Sequence, residues 1–123
     1  MTMYLVNSFS LNMLGGGDAF TVNIKKLTVD EARNILAPEG HLDPGVVLAI
    51  GHADTAAIVG TLLGLPEEDV ARMVEAAKNR PTIKMATGDK ALVAQYIGPR
   101  LPEGTTTLPE GARIEFFLVE VEL

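Results

Sequence analysis

The chain has no cysteine and only two histidines, His41 and His52. Without cysteine, the protein has no disulfide, no thiolate nucleophile and no cysteine-based zinc site. Two histidines are too few for a typical histidine-rich metal site. We therefore expect any chemistry to proceed without a metal or another cofactor.

Positive charge is also scarce, because 10 lysines and arginines face 16 aspartates and glutamates. The net charge of −6 and the pI near 4.8 argue against a broad grip on DNA, which requires clustered lysine and arginine. A small anionic ligand held by a few local groups is compatible with this charge. We expect no DNA partner.

Long hydrophobic runs are missing as well. No window approaches the ~20 apolar residues of a membrane-spanning helix. The first four residues, Met1-Thr2-Met3-Tyr4, lack the basic start of a signal peptide. We expect a cytoplasmic protein with no membrane partner.

The composition is that of a folded domain. A chain of 123 residues has the usual size of one domain, and 47% hydrophobic against 21% charged residues argues against disorder. No internal repeat or charge run divides the sequence. We expect a single domain over residues 1–123.

Apolar patterning predicts an α/β fold, with a mixed five- to six-stranded sheet flanked by about three helices. Alternation at Phe20, Val22 and Ile24 predicts a half-exposed strand with these side chains facing the core. Thr28 and Glu31 form a capping box at the start of a helix. The predicted strands are residues 3–6, 20–25, 46–50, 82–86, 90–97 and 114–123, with a hairpin turn at 87–89 between the fourth and fifth. The predicted helices follow the capping box, burying Val29, Ala32, Ile35 and Leu36, and cover residues 54–64 and 66–78.

A polar turn, Asn7, Ser8 and Ser10, follows the first strand. In open α/β sheets, ligands bind at the carboxyl ends of strands, where these side chains would offer amide and hydroxyl contacts. The alternative is an ordinary polar turn, which these residues alone favour. The glycines at 15–17 lack the spacing of a dinucleotide fingerprint and predict a loop.

The stretch from residue 46 to 63 predicts a strand, a sharp turn at Gly51 and His52, and a helix. The helix start offers unpaired N–H groups and the positive end of its dipole, which favour an anion beside the Gly51 backbone. Histidine suits proton transfer near neutral pH. The alternative is that His52 is only a helix-start residue satisfied by nearby backbone. His41, in the linker 38–45, is read as a solvated loop residue.

Prolines and glycines fix the backbone of residues 98–104 around Arg100 and Glu103. A site that aims a guanidinium at a phosphate requires such a constrained loop. A rigid surface loop with an incidental ion pair is the alternative, which composition alone slightly favours.

Four stretches resemble, in order and spacing, the viral anti-CRISPR ring nucleases of type III systems and their cellular relatives. These are YLVNSFSLNML over residues 4–14, IGHADT over 50–55, GDKA over 88–91 and RLPEG over 100–104. Together they extend over nearly the whole chain.

The resemblance implies a small α/β homodimer that binds cyclic tetra-adenylate and linearises it without metal. The ribose 2′-hydroxyl attacks its own phosphodiester, which leaves 2′,3′-cyclic phosphate ends and switches off type III CRISPR signalling, in the host cytoplasm if the source is viral. By this resemblance the catalytic histidine falls on His52, the site arginine on Arg100 and the site glutamate on Glu103. The family's N-terminal polar turn falls on Asn7, Ser8, Ser10 and Asn12.

Two other classes of function stay open from the sequence. One is a binding protein that sequesters a cyclic oligonucleotide without cleaving it, in which His52 only contacts the ligand. The other is a structural or regulatory dimer that uses the apolar strand at residues 116–123 as its interface.

Overall fold

A computed structural model describes residues 1–16 and 19–122 of the chain. Within these residues, five strands, three α-helices and one short 3-10 helix follow one another along the sequence. In chain order they are β1 (Met3–Val6), the 3-10 helix (Leu11–Met13), β2 (Thr21–Leu27), α1 (Val29–Leu36), β3 (Val46–Ala49), α2 (Ala53–Leu62), α3 (Glu67–Ala77), β4 (Lys90–Ile97) and β5 (Arg113–Glu122). Of the residues named in the predictions, Gly17 and Leu123 lie outside the described residues.

The strands form one mixed sheet in the order β2-β5-β4-β1-β3. β1 is parallel to both of its neighbours, with Met3 opposite Val46 of β3 and Lys90 of β4. β5 is antiparallel to β4 and to β2. Parallel strands require a crossover, and the chain makes the one from β3 to β4 through α2 and α3. The predicted fold class, one small α/β domain with a mixed sheet and three helices, is confirmed.

The predicted strand over residues 82–86 and its hairpin with residues 90–97 are wrong. Among the described residues, this segment pairs through an isolated bridge between Met85 and Leu14. β4 has β1 on one edge and β5 on the other, so both of its rows of backbone groups are already paired. The turn itself exists, because Asp89 N–H donates to the Ala86 carbonyl at 2.9 Å, but it leads the chain into the middle of the sheet.

The three helices pack on one face of the sheet. Phe116 of β5 is 1% exposed, and Leu36 of α1, Met73 of α3 and Leu92 of β4 belong to the same buried cluster. Each fully buried side chain of this size contributes ~1.5–3 kcal/mol relative to an exposed one. Within residues 1–16 and 19–122, no helix is long and apolar enough to cross a membrane.

α1 begins as the capping box predicted. Thr28 Oγ1 accepts from the Glu31 N–H at 3.1 Å, and Glu31 Oε1 accepts from the Thr28 N–H at 2.9 Å. The hydrogen bond from the Thr28 backbone lowers the pKa of Glu31 below its usual range. As predicted, the helix buries Ala32 and Leu36, with Val29 and Ile35 partly buried beside them.

Among the described residues, those that cover the other face of the sheet lie only near β1. Met13, Leu14, Ile83 and Met85 are buried there, on the segments at residues 9–14 and 83–85. This cover stops short of the edge strand β2 and leaves what we call the open face. Its members are Phe9, Val22, Ile24, Val93 and Phe117.

The prediction that Phe20, Val22 and Ile24 all face the core is therefore wrong. The alternation along β2 is real, but none of the residues that the structure describes forms a layer over the side of the strand that carries Ile24. Phe20 is 44% and Ile24 61% exposed, whereas Val22 is half-buried. A groove of about 300 Å³ runs along this face beside Ile24.

Replacing Asp89 by alanine should lower the free energy of unfolding by about 1–3 kcal/mol. The buried Asp89 carboxylate accepts from Thr2 N–H at 2.9 Å and Ala86 N–H at 2.8 Å, so the substitution leaves two donors unsatisfied. Urea unfolding of the purified variant measures the loss. The matched control is Asp43→Ala, because the exposed Asp43 carboxylate, among the described residues, accepts only from the Gly45 N–H. Equal stability of the two variants would contradict this account.

Candidate active site

Three parallel strands deliver their carboxyl ends to one edge of the sheet. β1 is followed by Asn7, β3 by Ile50 and Gly51, and β4 by Gly98. Asn7 Oδ1 accepts from the Gly51 N–H at 3.2 Å, which joins the first two of these strand ends. This edge is where open α/β sheets bind ligands.

A cavity of about 780 Å³ opens at this edge. This volume is in the usual range for small-molecule sites. It brings together the three predicted catalytic residues, His52, Arg100 and Glu103, from two segments that are far apart in sequence. The other lining residues are Asp54, Thr55, Tyr96, Gly98, Leu101 and Pro102.

His52 is the N-cap of α2. Its Nδ1 accepts from the Thr55 N–H at 3.4 Å, and its backbone is extended as an N-cap requires. Because Nδ1 is an acceptor here, the neutral ring carries its proton on Nε2. The alternative role for His52, a helix-start residue satisfied by nearby backbone, therefore uses only one of its two ring nitrogens. The exposed ring keeps Nε2–H available to a ligand in the cavity.

The loop at residues 98–104 is held at its start by Gly98. Gly98 has φ +157°, and a Cβ added there would lie 2.7 Å from Ala112 Cβ. Tyr96 Oη donates to the Pro99 carbonyl at 2.6 Å and fixes the next turn of the chain. The loop therefore begins in a conformation that only glycine allows.

The far end of the same loop is tied to α2. Gly104 N–H donates to Asp54 Oδ2 at 3.1 Å, across 50 residues of sequence. Thr105 Oγ1 donates to the Pro102 carbonyl at 2.6 Å. Because Asp54 is two residues after His52, this bond sets the distance between His52 and the segment with Arg100 and Glu103.

Arg100 carries no ion pair among the described residues. Glu103 and Asp54 line the same cavity, yet neither carboxylate pairs with its guanidinium. The incidental ion pair considered from the sequence does not form. Both exposed side chains, Arg100 and Glu103, thus keep their hydrogen-bonding groups for a ligand.

Arg80 is a site residue that the sequence did not reveal. A Cβ added to Gly51 would lie 3.0 Å from Arg80 Cδ and 3.2 Å from its Nη1, so the arginine lies against this glycine. The sequence predicts a helix over residues 66–78; α3 ends at Ala77, and Arg80 after it lies at the site edge. A second guanidinium therefore stands next to Gly51, the residue directly before His52, and Gly51 makes room for it because it has no side chain.

The residues of the predicted polar turn after β1 lie in different parts of the structure. Asn7 contacts Gly51 as described, whereas Ser8 lines the groove on the open face. Ser10 is the N-cap of the 3-10 helix, and its N–H donates to Met13 Sδ at 3.3 Å. The Asn12 carbonyl accepts from Lys84 Nζ at 3.0 Å. The ligand-binding role of Ser8, Ser10 and Asn12 stays a prediction.

The second histidine lies away from this cavity. His41 is 58% exposed in the loop between α1 and β3, with Nε2 3.8 Å from Glu39. Within the part of the chain that the structure describes, no three aspartate, glutamate or histidine side chains are grouped as a metal site requires.

Asp54→Ala should loosen the 98–104 loop, because it removes the acceptor of Gly104 N–H. A bond of this kind contributes ~0.5–1.5 kcal/mol, so amide hydrogen exchange at Gly104 should accelerate about 2- to 10-fold. NMR exchange measurements test this. Asp54→Asn keeps an acceptor oxygen and should stay near the wild-type rate. Unchanged exchange in the alanine variant would mean that the bond does not hold the loop.

Known proteins were compared with this chain at the level of sequence and of structure. A sequence model of the STIV B116-like family matches residues 3–118. The structure is similar to B116 of Sulfolobus turreted icosahedral virus, with a TM-score of 0.70 and 30% identity over 98% of this chain and 99% of that one. No curated protein matches. The family match extends over almost the whole chain, and the protein belongs to the STIV B116-like family.

Proposed function

We propose that this protein is a metal-independent ring nuclease that binds cyclic tetra-adenylate and linearises it. The observation that carries the proposal is the common cavity of His52, Arg100 and Glu103 at the carboxyl ends of the parallel strands. The order and spacing of the four ring-nuclease-like stretches support the same activity.

The reaction needs no nucleophile from the protein. The 2′-oxygen of a ribose attacks the adjacent phosphorus, the bond from phosphorus to the 5′-oxygen breaks, and a 2′,3′-cyclic phosphate forms. The protein must hold the attacking and leaving oxygens in line, neutralise the charge on the phosphoryl oxygens and protonate the leaving oxygen.

His52 is the proton donor in this scheme. Its Nδ1 is engaged by the Thr55 N–H in the neutral ring, which leaves Nε2 for the ligand. When the ring is doubly protonated, Nδ1 releases this hydrogen bond and Nε2 passes its proton to the departing 5′-oxygen. A well-placed acid of this kind contributes about 10²–10⁴-fold in rate.

Arg100 and Glu103 divide the remaining tasks. The unpaired Arg100 guanidinium offers a planar fork to the phosphoryl oxygens, where one such donor is worth roughly 10²–10³-fold. Two roles are open to Glu103, orienting Arg100 or accepting a ribose hydroxyl. The missing ion pair between them favours the second, in which Glu103 accepts the 2′-hydroxyl hydrogen. Arg80 adds positive charge on the Gly51 side.

We further propose that the protein acts as a homodimer. A ring of identical nucleotides has two-fold symmetry, so an isologous dimer presents the same contacts to both halves. The open face supplies apolar surface of the kind that such interfaces bury, since Ile24 is 61% exposed.

Membership of a family named after a viral protein supports a role in the host cytoplasm, where ring cleavage ends type III CRISPR signalling.

Purified protein incubated with cyclic tetra-adenylate and EDTA should yield linear products with 2′,3′-cyclic phosphate ends. His52→Ala should retain ring binding but lose about 10²–10⁴-fold in single-turnover rate, because the leaving oxygen loses its acid. Mass spectrometry identifies the ends, and calorimetry measures binding. His41→Ala is the matched control, since it removes the other histidine, which is exposed and distant from the cavity.

Three outcomes decide between the candidate functions. A ring recovered intact from denatured wild-type complex would indicate sequestration instead of cleavage. No binding of any cyclic oligoadenylate would leave the structural dimer. A normal rate in His52→Ala would assign the acid to another residue.

Ile24→Glu should convert the dimer to a monomer of 13.1 kDa, because an unpaired carboxylate at a buried interface costs several kcal/mol. Size-exclusion chromatography with light scattering measures the mass. Lys25→Glu is the control, since adjacent strand residues point to opposite faces. A dimer that persists in Ile24→Glu would place the interface elsewhere, and a monomeric wild type would refute the dimer itself.

A further inference from the structure

The residues that line the cavity beside His52 fall into two chemical sets, which we call its polar and apolar sides. His52, Asp54, Arg100 and Glu103 are polar and ionisable, whereas Tyr96, Leu101 and Pro102 offer apolar surface. A phosphate and a ribose use only the first side. A ligand that fills about 780 Å³ and touches both sides must carry an apolar, preferably flat, group next to its anionic part.

Tyr96 is the aromatic residue of this apolar side. It lies near the end of β4 and is half-buried, with part of its ring packed against the hydrophobic core. Its hydroxyl donates to the Pro99 carbonyl at 2.6 Å. The ring is therefore anchored at both ends before any ligand arrives, and ordering it on binding costs little conformational entropy.

We propose that Tyr96 is a stacking platform for a nucleobase, an adenine of the cyclic oligonucleotide; this inference rests on the proposed function. A base has a flat π face that stacks on an aromatic side chain irrespective of its hydrogen-bonding edge. Stacking on Tyr96 leaves the sugar and phosphate of the same nucleotide on the side of His52 and Arg100.

The hydrogen bond from Tyr96 to Pro99 links this platform to the reacting groups. Pro99 is directly before Arg100, so the ring that contacts the base also sets the start of the arginine loop. A base on Tyr96 and a phosphate on Arg100 are thus held at a fixed separation, as in-line attack requires. Tyr96 binds the substrate and positions Arg100, and it takes no part in proton transfer.

Tyrosine fluorescence gives a direct readout, because the chain has no tryptophan and only two tyrosines, Tyr4 and Tyr96. In a Tyr4→Phe, His52→Ala background, the remaining emission comes from Tyr96, and the cyclic tetra-adenylate stays uncleaved. Titration with cyclic tetra-adenylate should quench this emission, whereas inorganic phosphate should leave it unchanged. Quenching by phosphate alone, or binding of the ring without quenching, would overturn the stacking proposal.

Two further variants separate the contribution of the Tyr96 aromatic ring to ligand affinity from that of its hydroxyl. Tyr96→Phe keeps the aromatic face and should bind cyclic tetra-adenylate within about 3-fold of its parent. Tyr96→Leu should bind about 5- to 150-fold more weakly, the range for loss of one stacked base. Calorimetry on the His52→Ala background gives both values, and circular dichroism checks that each variant is folded.

The outcomes distinguish the two proposals. If the His52→Ala parent binds cyclic tetra-adenylate and the Tyr96→Leu variant binds it equally well, the stacking platform is refuted and the proposed function stands. If the parent binds no ring, the proposed function fails and the platform fails with it. A rate of product formation per bound cyclic tetra-adenylate that is equal or faster in Tyr96→Phe than in its His52-containing parent would refute the positioning of Arg100 through Pro99.

Discussion

The parallel pairing of β1 with both β3 and β4 is the constraint on which the site depends. Leu5 lies opposite Leu48 on one side and Leu92 on the other, so three strands run in one direction and end at one edge. Three segments of different sequence then meet: Asn7, the Gly51–His52 turn, and the loop at residues 98–104. No local preference of any one segment could bring His52 to Arg100.

Backbone hydrogen bonds then fix what the sheet brings together. His52 Nδ1 accepts from the Thr55 N–H, which leaves Nε2 available to a ligand. Asp54 receives the Gly104 N–H, and Tyr96 donates to the Pro99 carbonyl, so the arginine loop is attached to two elements. Within the described residues, the carboxylates that line the cavity are either engaged with backbone, as Asp54 is, or without an ion pair, as Glu103 is. A protein of net charge −6 can therefore present at one edge guanidinium groups that form no ion pair with the described carboxylates.

Much of the fold was predictable because it is encoded locally, whereas the grouping of His52 with Arg100 and Glu103 was expected from the family resemblance. The Thr28 capping box, the helix after His52 and the strand at β4 each follow from residues close in sequence, and the cavity does contain His52, Arg100 and Glu103. What was missed depends on distant partners. The segment at 82–86 lacks a free strand edge, Ile24 lacks a covering layer, and Arg80 approaches Gly51 only because the chain turns back after α3. Nothing in the sequence marks Tyr96 or Asp54, because their roles depend on the hydrogen bonds that they form with Pro99 and Gly104 in the folded chain.

The position of β1 in the middle of the sheet has a consequence for how the protein is made. β1 acquires its β4 partner only after the strands and helices between them have been synthesised, and the bond between Thr2 and Asp89 closes a span of 87 residues. Contacts so far apart in sequence slow folding, since the loop entropy is lost before the pairing is gained. Until β4 and the segment after it arrive, the nascent chain has a histidine turn without its arginine loop.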